Sequence, residues 1–337
     1  MTKTKKAAAI AATVLIVIAA VAVTSALYAA GIIDYAEPVE NDGLYLMCYF
    51  TGNEPQEERL FFAVSENGYD YSPLNGGSPV LISETATGSV RDPYLFRDRD
   101  GTYRILATDL KSEDGWASNH CLISWESSDL IHWSDPVLID MNDYGLPHTV
   151  RAWAPQAIWD PSAGKYMIYW ANCRNDPDTG WTDTVLWYAY TDDFVSLSSE
   201  PQILFAPSNG NDAIDGDIVE KDGVYYLYYK DENDCTIYYA TASSPAGPYT
   251  EPDDPCISSF LSDVEGSFVY RLEGTDTYVM MMDMYGKHKF VMQQSTDLTD
   301  FKRLKSSDYS LDFSPRHGSV LAIDRGTYDA LLAAFPS

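Results

Sequence analysis

An all-β protein is predicted by three features of the sequence. Aromatic and β-branched residues, with tyrosine alone contributing 25, gather in short runs separated by Gly, Pro, Asp and Asn, the punctuation of strands and tight turns. No stretch carries the long 3.6-residue periodicity and end caps of an amphipathic helix. A strand-turn-strand grammar recurs, its first strands opening at Asp92, Trp153, Asp215, Glu265 and His317. These starts lie ~50–60 residues apart, the period of four-stranded propeller blades. The sequence therefore predicts a five-bladed β-propeller.

Each blade can be read in turn. Residues 44–50 and 60–65 are strands, followed by a turn at Asn67-Gly68. The run Val90-Arg91-Asp92-Pro93-Tyr94-Leu95-Phe96 opens the first complete blade, turns at Asp98 to Gly101 and returns through residues 103–109. Residues 122–130 and the pair His132-Trp133 are expected to supply its outer strands. The next blade opens at Trp153, turns between residues 160 and 164, and continues through 166–170 and 185–191. The third opens at Asp215, turns at Asp222-Gly223 and runs on through 225–229 and 236–240. The fourth opens at Glu265 and continues through 278–282 and 290–295. His317-Gly318-Ser319-Val320-Leu321 begins a fifth inner strand whose blade the chain does not complete, whereas residues 44–65 lack an inner strand. N- and C-terminal strands are thus expected to share one blade and close the ring, which hides the sheet edges.

Outside the repeats, Lys3, Lys5 and Lys6 precede an uncharged run over residues 7–33. Its length exceeds the roughly 7–15 residues of a secretory core and suffices for the roughly 20 that span a bilayer. Small-residue cleavage sites occur at Thr24-Ser25-Ala26 and Ala29-Ala30-Gly31. Residues 1–33 are therefore read as a signal peptide or N-terminal membrane anchor, 34–42 as a linker and 43–337 as the catalytic propeller. That places the domain outside the cytoplasmic membrane, secreted or attached to its outer face through residues 7–33. A monomer is expected. The net charge of −28 argues against nucleic acid or any polyanionic ligand as a partner and reads mainly as a solubilising surface. Five widely spaced cysteines read as free buried thiols, and the histidines lack paired ligand spacing, so no metal motif and no required cofactor are expected.

In a propeller the innermost strands line the central channel, so Asp92, Trp153, Asp215, Glu265 and His317 should meet at one mouth of it. Three carboxylates converging there suit acid/base cleavage of a glycosidic bond, in which one group is protonated while another is ionised. Glu265, in an apolar strand, is expected to be kept protonated by desolvation and to donate to the leaving oxygen. Asp92 beside Arg91 is expected to stay ionised and activate water, with Asp215 orienting Glu265 and raising its pKa. Tyr94, Trp116, Trp153, Trp181 and Tyr285 are candidates for stacking on sugar rings. The ends of the second strands, at Asn53, Asp109, Asn172, Asp231 and Asp283, read as turn chemistry.

The motifs Val90-Arg91-Asp92-Pro93-Tyr94, Trp153-Ala154-Pro155-Gln156, Ala213-Ile214-Asp215-Gly216, Val264-Glu265-Gly266 and Arg316-His317-Gly318-Ser319-Val320 together resemble the successive inner strands of glycoside hydrolase family 43. The resemblance implies an inverting mechanism with Asp92 as general base, Asp215 as pKa modulator and Glu265 as general acid. Arg91 and His317 are further candidate substrate contacts, and the resemblance also implies that His317 lies in the central channel, where some relatives hold a structural calcium ion. The implied substrates are α-L-arabinofuranosides, with β-D-xylosides as the alternative; a carbohydrate-binding propeller without catalysis is the alternative of another class. Two positions depart from the family pattern: Gln156 where many relatives have Glu, and Ser267 where many have Pro.

Overall fold

The computed structural model describes residues 35–257 and 261–336. Five small sheets are arranged around a central channel. One runs outward from Arg91–Arg97 through Tyr103–Thr108 and Cys121–Ser127 to Val137–Asp140. The next comprises Thr149–Asp160, Lys165–Asp176, Val185–Thr191 and Gln202–Phe205. Ala213–Lys221, Val224–Asp231 and Thr236–Ala242 form a three-stranded blade, extended only by single bridges from Tyr238 to Cys256 and from Thr241 to Thr250. Glu265–Arg271, Tyr278–Met284, Lys289–Ser295 and Lys302–Leu304 make the fourth.

The fifth blade closes the ring as expected. Gly318–Ile323 is its inner strand and pairs antiparallel with Leu44–Tyr49 over the register Leu44↔Ile323 to Tyr49↔Gly318. Phe61–Ser65 and Asp70–Pro73 follow outward, and Ser310–Leu311 adds a parallel edge. Both ends of the propeller are thereby tied into one sheet.

Strand alternation explains where the core lies. Side chains on opposite faces of each sheet pack against opposite neighbours, and the buried apolar residues accordingly form five clusters, one per gap between blades. Leu46, Phe62, Leu95 and Ile105 fill one gap, and Tyr45, Met47, Phe268 and Met281 fill the gap on the other side of the same terminal blade. The near-continuous apolar character of the second strands, Tyr278–Met284 being wholly buried, follows from having a cluster on each face.

One local expectation is corrected, and two local features add to the reading from sequence. The outer strand of the Asp92 blade is Val137–Asp140, and Trp133 makes only a single bridge to Ser127. Residues 35–37 are docked: Tyr35–Ala36 pairs parallel with Arg303 and Leu304, and Gln294 Nε2 donates to the Glu37 carbonyl at 2.8 Å. A ten-residue helix, Arg325–Ala334, follows the closing strand. Asp324 caps it by accepting from the Thr327 amide at 2.7 Å, and Tyr328 and Leu331, three residues apart, seat it on the cluster between the terminal and Asp92 blades. The expected leader or anchor lies outside the described residues. Among the described residues, no helix is long and apolar enough to cross a membrane.

Candidate active site

Four of the five inner strands share one irregularity near their start. In each, two residues oppose one on the neighbouring strand: Asp92-Pro93, Ala154-Pro155, Asp215-Gly216 and Gly266-Ser267. The first residue of each pair has positive φ, 51° at Asp92, 47° at Ala154, and 54° at both Asp215 and Gly266. A bulge of this kind bends the strand and re-aims a side chain. It sets Asp92 and Asp215 on the wall of a cavity of about 440 Å³ at the channel mouth, together with Trp153, Glu265 and His317. All five residues expected at the inner-strand starts therefore meet.

Their equivalence is not what residue counting suggested. In register, Asp92 and Asp215 match Ala154 and Gly266, whereas Glu265 matches Arg91, Trp153 and Ile214, one residue earlier. A Cβ at Gly266 would lie 2.6 Å from Cβ and Cγ of His317. No side chain fits at that position, so the third carboxylate comes from the residue before it.

His317 organises the floor. Its Nδ1 lies 3.6 Å from Asp92 Oδ1 and 3.8 Å from Asp215 Oδ1. Burial favours the neutral ring, but Asp215, Asp92 and Glu265 outweigh it and raise the pKa to about 9, so the ring is an imidazolium at neutral pH. Burial also opposes ionisation of Asp92. There His317, Arg91 and the Thr108 hydroxyl, which donates to Oδ2 at 2.8 Å, prevail and hold the carboxyl below its ordinary range. Asp215 goes the other way. It accepts from the Gly266 amide at 2.8 Å, yet burial, with Glu265 and Asp92 nearby, raises it to about 6 against the pull of His317 and Lys230. Two carboxylates on one cation thus differ in acidity because Asp92 has the closer cations and Asp215 the nearer anion.

Glu265 is not in the apolar setting expected of it. Lys230 Nζ donates to Oε2 at 3.0 Å and an Arg316 terminal nitrogen to Oε1 at 2.7 Å. Arg316 Nε in turn donates to Asp283, which is buried and raised to about 7 despite that contact, burial being the larger influence. Lys230 stands on the strand Val224–Asp231 and Arg316 just before Gly318–Ile323, so the sequence around Glu265 carries no sign of them.

The remaining candidates divide. Trp116, 48% exposed, and the half-buried Trp153 and Tyr285 line the cavity. Arg91 lines it too, but one terminal nitrogen already donates to Asn53 Oδ1 at 2.9 Å and Glu58 Oε1 at 3.0 Å, with Phe50 and Trp116 over the guanidinium at 4.5 and 5.0 Å. Arg91 therefore supports Trp116 and the mouth. Tyr94 is a correction: beyond the bulge it turns away from the mouth, donates to the Ala157 carbonyl at 3.2 Å and stacks on Phe96. The two departures from the family pattern also lie away from the cavity. Gln156 accepts from the Tyr169 hydroxyl at 2.7 Å inside the channel wall, and Ser267 is fully buried in the bulge.

Several site residues were not singled out from the sequence: Lys230, Arg316, Glu58, Thr108 and Arg151. A partial signal existed for others. Asn53 and Asp283, taken as turn residues, brace Arg91 and Arg316, while Asp231 accepts from Asn209 and Asn211 in a loop beside the mouth. The groups around His317 do not form a calcium cage. Calcium takes six to eight oxygen ligands, whereas the oxygens facing His317 are those of the Asp92 and Asp215 carboxylates, one already held by Thr108 and the other by Gly266. Among the described residues, the one cluster of three potential His, Cys, Asp or Glu ligands is His120, Cys121 and Asp140, on another part of the surface.

A propeller that brings three carboxylates to one channel mouth holds the groups that acid/base cleavage of a glycosidic bond requires. Residues 40–329 match the family described as a probable glycosyl hydrolase domain, related to family 43, and the chain belongs to glycoside hydrolase family 43. An α-L-arabinofuranosidase of Bifidobacterium longum subsp. longum is 28% identical over 211 residues, covering 56% of this chain and 19% of that protein. The chain thus spans about a fifth of the length of the curated relative it matches. A xylan β-1,4-xylosidase from Bacillus halodurans C-125 shares the fold with a TM-score of 0.56 at 12% identity, over 87% of this chain and 52% of that one. An exo-β-1,3-galactanase from Clostridium thermocellum does so at 0.55 and 11%, over 80% and 62%.

Proposed function

We propose that the chain is an inverting glycoside hydrolase that removes α-L-arabinofuranosyl residues from plant-type polysaccharides or oligosaccharides. The observation that carries this reading is the convergence of Asp92, Asp215 and Glu265, from three different inner strands, on one cavity at the channel mouth. Carboxylates brought to one site in different surroundings can divide the acid and base roles of glycoside hydrolysis. Asp92 accepts a proton from the attacking water. Glu265 gives one to the leaving oxygen, and for this it must be protonated when substrate is bound. An ionised Asp215 and the desolvation that a bound sugar brings favour that form, against Lys230 and Arg316. Trp116, Trp153 and Tyr285 offer ring faces to the glycan. The arabinofuranosyl assignment is supported by the 28% identity to the bifidobacterial enzyme. Export past the cytoplasmic membrane is supported by the lysines and apolar run of residues 1–33.

The test is a panel of nitrophenyl α-L-arabinofuranoside, β-D-xyloside and β-D-galactoside, assayed with the wild type, Asp92→Ala and Glu265→Ala. Turnover of the arabinofuranoside by the wild type alone supports the reading. Preference for the xyloside moves the substrate to β-D-xylosides. Binding without turnover of any substrate replaces the hydrolase with a carbohydrate-binding propeller.

A further inference from the structure

Every Arg and Lys that lines the cavity, with one exception, faces a carboxylate. Arg91 pairs with Glu58, Lys230 with Glu232 and Glu265, and Arg316 with Asp283 and Glu265. Arg151 is the exception: among the described residues, no carboxylate oxygen lies within 4.0 Å of its guanidinium. One terminal nitrogen donates to Thr184 Oγ1 at 3.1 Å, and that hydroxyl donates to Asp212 Oδ2 at 3.1 Å. The hydroxyl holds the guanidinium in place while keeping Asp212 at one remove. Arg151 Nε and the neighbouring Trp153 Nε1 are both buried without a hydrogen-bond partner.

Arg91 provides an internal comparison. Each arginine is flanked by aromatic rings, Arg91 by Phe50 and Trp116, and Arg151 by Trp153 at 4.8 Å and the exposed Trp181 at 6.0 Å. For Arg91 the chain supplies Glu58 as counter-charge. For Arg151 no carboxylate does so among the described residues, although the chain carries 50 acidic residues. Buried donors left without a partner are costly, and an acceptor on a bound ligand would satisfy them. Position narrows the choice. Trp153 is in register with Glu265, and the strand is regular from Arg151 to Trp153. Arg151 therefore lies on the same face, two residues or roughly 7 Å outward, where the residue next to the cleaved sugar would sit. The planar guanidinium fork matches a carboxylate.

On the reading of this mouth as a glycosidase site, we propose that Arg151 and Trp153 Nε1 bind the carboxylate of a uronic acid residue adjoining the sugar held between Asp92 and Glu265. The substrate is then a neutral sugar on an acidic glycan. The net charge of −28 disfavours polyanions at long range, so recognition is confined to single carboxylates that reach the mouth.

Calorimetric titration of the purified protein with D-glucuronate and with its neutral isostere D-glucuronamide tests this. Wild type should prefer glucuronate by ~10-fold or more, as a charge-assisted pair requires. Arg151→Gln should bind both alike, and Arg151→Lys, which keeps the charge without the fork, should show an intermediate preference. Should the Gln variant fail to fold, the weakened preference of the Lys variant carries the test. Equal affinities in the wild type, no detectable binding of either compound, or an undiminished preference in Arg151→Gln overturns the proposal. Hydrolysis plays no part in the titration. A glucuronate preference without turnover of any nitrophenyl glycoside would remove the hydrolase and keep the carboxylate site, and turnover without the preference would do the reverse.

Discussion

Replacing His317 by Asn removes the cation that Asp92 and Asp215 share and leaves two buried carboxylates facing each other's charge. At 3.6 Å and an effective dielectric constant of ~20, the lost attraction on Asp92 is roughly 4–5 kcal/mol, or about 3 pKa units. Water entry and movement of the two side chains reduce this to a shift of ~1–3 units upward. The acid limb of the pH dependence of kcat/KM reports ionisation of the base in the free enzyme. Measured with a nitrophenyl arabinofuranoside, that limb should move to higher pH by this amount, with activity lost at pH 5 and partly regained at pH 8. A variant that is uniformly weaker with its acid limb unmoved, or moved to lower pH, would refute the assignment of His317 as the group that keeps Asp92 ionised.

Other consequences follow from the same geometry. Glu265→Ala should lower kcat by ~10²–10⁴, and less for a nitrophenyl leaving group than for an alkyl glycoside, because nitrophenolate departs without a proton; equal losses on both would remove the general-acid role. Gly266→Ala forces a β-carbon into His317 at a φ of 54°, and chemical denaturation should show a loss of at least ~1–3 kcal/mol. His317 titrates at about 9 when folded and near 6.5 when unfolded. Its contribution, at most ~3 kcal/mol, is fully present below about pH 6.5 and is lost as pH rises through 9. Denaturant midpoints should therefore fall across that window in the wild type and much less in His317→Asn.

The repeats were legible because a blade must punctuate its strands with turns, and because Gly318–Ile323 had no partner strands except Leu44–Tyr49 and those beyond it. The gathering of Asp92, Trp153, Asp215, Glu265 and His317 followed from the ring itself. What escaped the sequence depends on contacts between strands far apart in the chain. The bulges that set Asp92 and Asp215 one position away from Glu265 appear only in the pairing register. Lys230 and Arg316 reach Glu265 from neighbouring blades, and Tyr94 reads as a mouth residue until the bulge before it reverses its face. The short helix Arg325–Ala334 was not legible because one helical turn of apolar spacing, Tyr328 to Leu331, is too brief to stand out against period-2 strands.

The account rests on a single displacement, with Asp92 activating water and Glu265 protonating the leaving oxygen. Proton NMR of the sugar released in the first turnovers, recorded before mutarotation, tests it most directly. The account predicts that the anomeric configuration is inverted relative to the substrate; release of the retained anomer would contradict it.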